Sequence, residues 1–311
     1  MRNFTFELNE NVERKEIRFI NRFGIEIAGD LYLPKNIDNN SLPALVVAGP
    51  FGAVKEQASG RYANQMASLG FASLAFDGSY TGESGGTPRN VAAPDINTED
   101  VMAAVDVIGV QPNIDRNRIG VIGICGWGSM TLNAVSVDKR VKAIATVSMY
   151  DNSAGLGSLP AEQRSQFLEA LSQQRWTDFE NGSYAPMEDQ LPSELPDNPD
   201  KDTLETFEFY RTSRGYHENS ILSNGNWNAT MPLSFMTTPV MQYIDEISPR
   251  PILFIAGEVA FSKPLSESAY EQAKEPKELI IIPGAAHSTL YDNMEKIPFN
   301  KLKEFFESNL K

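Results

Sequence analysis

The chain is poor in the two side chains most used for nucleophilic and imidazole chemistry: its 311 residues include one Cys and two His. One Cys excludes an internal disulfide, and with only two His a Cys/His zinc cluster is excluded too. No apolar run approaches the ~18 residues that a membrane span needs, and the opening MRNFTFELNE carries no apolar signal-like stretch. A soluble, cytoplasmic protein without a membrane partner is expected. Internal repeats and low-complexity tracts are also missing. Cations are in deficit, with 27 Lys and Arg against 41 Asp and Glu and a formal net charge of −14. Such a chain repels a polyphosphate backbone, so no nucleic-acid partner is expected.

What remains is ordinary globular composition, 41% hydrophobic and 22% charged, long enough for one large α/β domain or two smaller ones. KEIRFIN and IEIAGDLYLP, joined around residues 21–24, read as an antiparallel hairpin. Short apolar strands then alternate with helices. Strands are expected at 44–48, 72–76, 118–123, 142–148, 251–257 and 278–284. Helices are expected at 60–69, 98–109, just after Cys125, at 266–274 and from Ile297 onward. Apolar strands that alternate with helices imply a mostly parallel sheet covered on both faces. Between Asp151 and about Asp245 the alternation stops. AEQRSQFLEALSQQRW and DTLETFEFYRT read as helices, separated by the Pro-rich APMEDQLPSELPDNPD. The expected organisation is a core of 1–150 and 246–311 with a helical cap inserted at 151–245.

The segment RIGVIGICGWGSMTLNA sets Cys125 between a buried strand and a helix rich in small residues. Strand C-termini and helix N-termini converge there in open α/β sheets. Gly123, Gly126 and Gly128 suit a sharp turn, and a helix N-terminus is expected to lower the thiol pKa. Packing alone is the competing reading for a lone Cys.

G-I-C-G-W-G resembles the G-x-S-x-G nucleophile elbow of the α/β-hydrolases, with Cys in place of Ser as in dienelactone hydrolases. It departs from the pattern in having Trp127 two residues after the nucleophile, where Gly is usual. VVAGPFGAVKEQ resembles the oxyanion loop, which implies that an amide at Phe51 or Gly52 joins that of Gly126 in an oxyanion hole. FDGSYTGESGG resembles the family's D-x-R-G-x-G-x-S loop through Asp77, Gly82 and Ser84, with Tyr80 near the Arg position. The likeness runs over about 14–150 and from 246 to the end. It implies an α/β-hydrolase fold and a Cys–His–acid triad that acts on a small-molecule acyl substrate without metal or organic cofactor.

Within that resemblance His287, in the loop after the last strand, is the base. His217, inside the expected cap, reads as structural or pocket-lining. The acid is open. The family's usual position holds Ala260, leaving Glu258 and Asp151 as equal candidates, and a Cys–His pair without an acid is chemically tolerable. Trp127, His217 and Tyr210 are candidate substrate contacts, with Trp176, Trp227 and Phe207 as further aromatics for an acyl pocket. Lys55, Glu56 and Gln57 either fix the oxyanion loop or begin a solvated helix. The Glu that precedes Ile-Phe-Gly in dienelactone hydrolases is missing from Gly49-Pro50-Phe51-Gly52, which argues against dienelactone itself. The expected activity is hydrolysis of an ester, lactone or thioester through a Cys acyl-enzyme. An acyltransferase and a non-catalytic ligand-binding relative are the alternatives, and a redox role for Cys125 is weaker because no resolving Cys exists. A homo-oligomer is left open.

Overall fold

Eight strands form one sheet in the order β1-β2-β4-β3-β5-β6-β7-β8, in a computed structural model that describes residues 3–35, 41–188 and 191–311. The strands are β1 (Val12–Ile20), β2 (Glu26–Pro34), β3 (Leu42–Ala48), β4 (Ala72–Phe76), β5 (Ile114–Ile124), β6 (Val141–Val147), β7 (Ile252–Gly257) and β8 (Lys277–Ile282). The expected hairpin, β1 and β2, is antiparallel, and β2 pairs antiparallel with β4. From β4 to β8 every pairing is parallel. This is the α/β-hydrolase fold expected from the sequence.

The central strands are continuous apolar runs because both faces are covered. Val46, Val121, Ile144 and Phe254 face one apolar layer, and their neighbours Leu45, Ile122, Ala143 and Ile255 face the other, as the two-residue period of a strand requires. α2 (Pro94–Gly109), α3 (Gly126–Val137) and α9 (Lys263–Gln272) cover the first face, with Val105, Val135 and Ala269 in its core. α1 (Ala58–Ser68) and α11 (Phe299–Asn309) cover the second, with Tyr62, Met66, Leu302 and Phe306 in its core. α2 starts four residues before its expected position because Pro94 opens the first turn and Asn97 Oδ1 accepts from the Ala93 amide.

Between β6 and β7 the chain runs through α4 (Asn152–Gly157), α5 (Ala161–Asn181), α6 (Lys201–Tyr210), α7 (Ile221–Asn224) and α8 (Met231–Thr237). Both helices expected there are present. The Pro-rich stretch between them includes Asp189 and Gln190, which lie outside the described residues, as do Met1 and Arg2 of the opening segment. α5 is largely exposed, but Ile221, Trp227 and Phe235 belong to the same apolar core as the sheet. Among the described residues no helix is long and apolar enough to cross a membrane.

Candidate active site

Cys125 directly follows β5 and caps α3 with φ 56° and ψ −129°, a strained backbone for a non-glycine residue. The turn is held by three backbone hydrogen bonds. The Cys125 amide donates to the Val147 carbonyl at 3.0 Å, and the Cys125 carbonyl accepts from Gly128 at 2.8 Å and Tyr150 at 2.9 Å. Close packing requires the small neighbours. A Cβ on Gly123 would meet Thr131 Oγ1 at 2.1 Å, and one on Gly126 would meet Phe51 Cβ at 2.7 Å. The departure at Trp127 is accommodated inward. Its indole packs edge-on against Phe76, with centroids 5.3 Å apart, and fills the space a side chain at Gly78 would need. Trp127 is therefore a core residue and does not line the pocket beside Cys125.

The loop after β8 brings His287 Nε2 to 3.4 Å from Cys125 Sγ. A Cβ on Gly257 would meet the Ala285 carbonyl at 2.2 Å, so the end of β7 must be bare for this loop to pass. Nδ1 of His287 lies 2.6 Å from Ser262 Oγ, a fully buried hydroxyl. Neither expected carboxylate is there. Asp151 caps α4, its Oδ1 accepting from the Ser153 amide at 2.8 Å and hydroxyl at 2.6 Å. Glu258, largely exposed, accepts from the Gly284 amide at 2.9 Å. Asp151 is satisfied within its own loop and Glu258 by the first turn of the loop after β8, and Ala260 is buried at the family's usual acid position.

The backbone amides of Phe51 and Gly126 lie where they favour negative charge on the Cys125 sulfur. Gly52 instead turns its carbonyl to the Ser220 hydroxyl, 2.9 Å, and to the Leu222 amide, 3.3 Å. The expected fall in the thiol pKa is reversed. Burial pushes the thiol up, and hydrogen bonds from the Tyr291 hydroxyl and the two amides offset this only in part. Burial also lowers the imidazole of His287, to about 3, with no carboxylate near enough to oppose it. The resting pair is thus neutral thiol and neutral imidazole.

A cavity of about 290 Å³ opens over Cys125, its walls formed by Phe51, Tyr150, Tyr210, Trp227 and Phe261 among others. Among the described residues none of its lining side chains is Asp, Glu, Lys or Arg. Phe51 stacks on Trp227 at 4.1 Å, and Phe261 on the His287 ring at 4.4 Å. Tyr210 and Trp227 line the cavity, whereas Phe207 does not reach it and Trp176 is exposed on α5. His217 is buried away from the cavity, its Nδ1 accepting from the Asn219 amide at 3.2 Å. Burial lowers its pKa, and the nearby Asp77 carboxylate opposes that shift.

Lys55, Glu56 and Gln57 are buried, so a solvated helix start is excluded. Lys55 Nζ donates to Glu56 at 2.8 Å, Glu83 at 2.9 Å and Asp77 at 3.0 Å. The Lys55 amide donates to Asp77 Oδ1 at 2.8 Å, and Ser84 Oγ donates to the Asp77 carbonyl at 2.7 Å. Asp77 and Ser84, which carry the family likeness, therefore tie the loop holding Phe51 to the loop after β4. Gly82, with φ 51°, fits close against the Asp77 carboxylate, while Tyr80 does not reach the cavity. Reading the sequence missed Ser262, Tyr291 and Phe261. Tyr291 carried a signal, since His287 and Tyr291 are spaced by four and share a face of any helical turn.

No family model matches the chain. A Pseudomonas aeruginosa protein, PA2218, described as uncharacterized, is 54% identical over 98% of this chain and 83% of its own length. Its crystal structure superposes with a TM-score of 0.95, covering 99% of this chain and 97% of that one. YcjY of Escherichia coli, also uncharacterized, is 32% identical over 92% of this chain and 95% of its own. The polyketide transferase GrgF of Penicillium is 26% identical over 96% of this chain and 97% of its own. The GrgF crystal structure, described as an α/β hydrolase, superposes with a TM-score of 0.78, covering 96% of this chain and 99% of that one. The chain belongs to the family represented by PA2218 and YcjY, built on the α/β-hydrolase fold.

Proposed function

We propose that the protein is an enzyme that cleaves esters or thioesters of neutral, apolar acyl groups through an acyl-cysteine at Cys125. The observation that carries this reading is the convergence on one sulfur of the His287 imidazole and of the Phe51 and Gly126 amides, at a strained strand-to-helix turn. His287 acts as base through Nε2. For that, Nδ1 carries its proton and Ser262 Oγ accepts it, fixing the tautomer in place of an acid. Because the resting pair is neutral, the thiol proton leaves as Sγ attacks the acyl carbon. The carbonyl electrons move onto oxygen, where the two amides stabilise them. Collapse expels the leaving group, which takes a proton from the imidazolium. Water then gives its proton to Nε2, attacks the thioester and releases the acid with the thiol restored.

The uncharged aromatic walls favour an acyl group without charge, since a carboxylate or ammonium would be desolvated there without a partner. The segment 151–245 is read as a cap because it supplies Tyr210, Leu222 and Trp227 to the cavity. Acyl transfer is the second reading, favoured by the full-length likeness to GrgF, a polyketide transferase. In it an alcohol, amine or thiol replaces water in the second half-reaction.

The test is turnover of a panel of aryl esters, lactones and acyl thioesters by the native protein and by Cys125→Ala and His287→Ala. Removing either group is expected to lower kcat/KM by at least ~10³-fold. Undiminished turnover in either variant overturns the mechanism. Product analysis with and without an added nucleophile separates hydrolysis from transfer.

A further inference from the structure

The Tyr291 hydroxyl has no part in the steps above, yet it touches both atoms that exchange a proton in them. It lies 2.8 Å from His287 Nε2, nearer than the thiol at 3.4 Å, and it is close enough to the Cys125 sulfur to favour the thiolate. The Tyr210 hydroxyl is a further polar neighbour, and the ring is held by Phe209 with centroids 5.0 Å apart. An imidazole protonated at Nδ1 offers one lone pair. Two donors therefore compete for Nε2, and the phenol has the shorter contact. The geometry thus offers the thiol proton a path through the phenol oxygen as well as the longer direct one.

We propose that Tyr291 is a catalytic residue that relays the proton between Cys125 and His287. As Sγ attacks the acyl carbon, the S–H bond breaks and its proton passes to the phenol oxygen. The phenol O–H breaks in the same step, and that proton passes to Nε2. Tyr291 ends as a neutral phenol, so no tyrosinate accumulates, and no oxidant or further reactant is needed. Run in reverse, the relay returns a proton from Nε2 through the phenol to the leaving oxygen or sulfur. Burial and the neighbouring Cys125 hold the phenol well above the usual tyrosine range, which keeps the relay protonated at neutral pH. The proposal rests on the acyl-cysteine reading.

Tyr291→Phe removes the relay and keeps the ring. Its expected effects are a fall in kcat/KM of about 10²-fold on an aryl ester and slower alkylation of Cys125 by iodoacetamide, with the pH midpoint moved upward. Unchanged or faster alkylation across about pH 6 to 10 overturns the proposal, because a phenol that merely blocks Nε2 would release the thiol when removed. The native enzyme supplies a reading independent of how the variant folds. kcat/KM measured in mixtures of H2O and D2O is expected to follow a bowed curve, as two protons in flight require, and a straight line overturns the relay. The Cys125→Ala control separates the two levels. Turnover that survives it refutes the acyl-cysteine itself. Its loss, together with unaltered kinetics in Tyr291→Phe, refutes the relay alone.

Discussion

At the scale of the residue, the dry surroundings of His287 set the pH behaviour. Its imidazole is lowered to about 3 by burial, against an ordinary value near 6.5. Proton uptake in the folded state is thus confined to strongly acidic solution, and kcat/KM is expected to show no inflection near pH 6.5. Stability follows the same shift. Between about 6.5 and about 3 the unfolded chain holds the proton that the folded chain refuses, so stability falls as pH drops through that window. The group's share is about 2 kcal/mol between pH 6.5 and 5. His287→Gln is expected to flatten that part of the slope, read as urea midpoints at the two pH values. An acid dependence identical to that of the native protein would contradict the burial argument.

The same residue marks how far reading the sequence reached. Cys125 and His287 were legible because each is scarce and sits at a family landmark, an elbow and a post-strand loop. Ser262 was not. It is one Ser among many, five residues past the end of β7, and only the path of the loop from Gly257 to α9 brings its hydroxyl under Nδ1. Asp151 and Glu258 were plausible by position, yet each carboxylate is engaged elsewhere, Asp151 by Ser153 two residues on and Glu258 by the Gly284 amide across β8. For Asp151, a short-range partner that the chain supplies within its own loop wins over one that must be reached across it.

At the scale of the element, the loop that holds Phe51 depends on a buried ion cluster. Lys55 has no exposed surface, and it joins the start of α1 to Asp77 at the end of β4 and to Glu83 in the loop that follows. Burial raises the Glu56 carboxyl to about 7, the Asp77 carboxylate adds to the rise, and the Lys55 ammonium opposes it. Lys55→Met removes the cation and leaves the Asp77 carboxylate buried without it. The expected loss is about 3–5 kcal/mol of stability, measured by denaturant unfolding. A loss under about 1 kcal/mol would mean that the cluster adds nothing beyond packing. α3 illustrates a different trade. Trp127 breaks the usual glycine pattern, and bare Gly78 opposite makes room for its indole, so a motif mismatch in the sequence becomes a core contact in the fold.

At the scale of the whole molecule, the segment between β6 and β7 reaches the site from two directions. Tyr210, Leu222 and Trp227 wall the cavity. Glu205 and Arg214 hold the loop carrying His287, Glu205 accepting from the Ser288 and Thr289 amides and Arg214 pairing with Asp292 at 2.7 Å. The base is therefore positioned by chain far from it in sequence. Glu205→Ala is expected to lower kcat about tenfold while costing about 1–3 kcal/mol in stability through the two amides left unpaired. An unchanged kcat would show that the loop after β8 holds its shape alone.

The sequence by itself determined the sheet, because apolar runs and their alternation with helices are local patterns that admit few other arrangements. It also determined the placing of the thiol and the imidazole, since landmarks on a known fold are read along the chain. Only the tertiary structure decided which group stands behind His287, which phenol lies against its Nε2, and that the thiol is raised rather than lowered. Those depend on distances between residues remote in sequence and on how much water the surrounding packing leaves around them, and neither quantity is written in any local pattern.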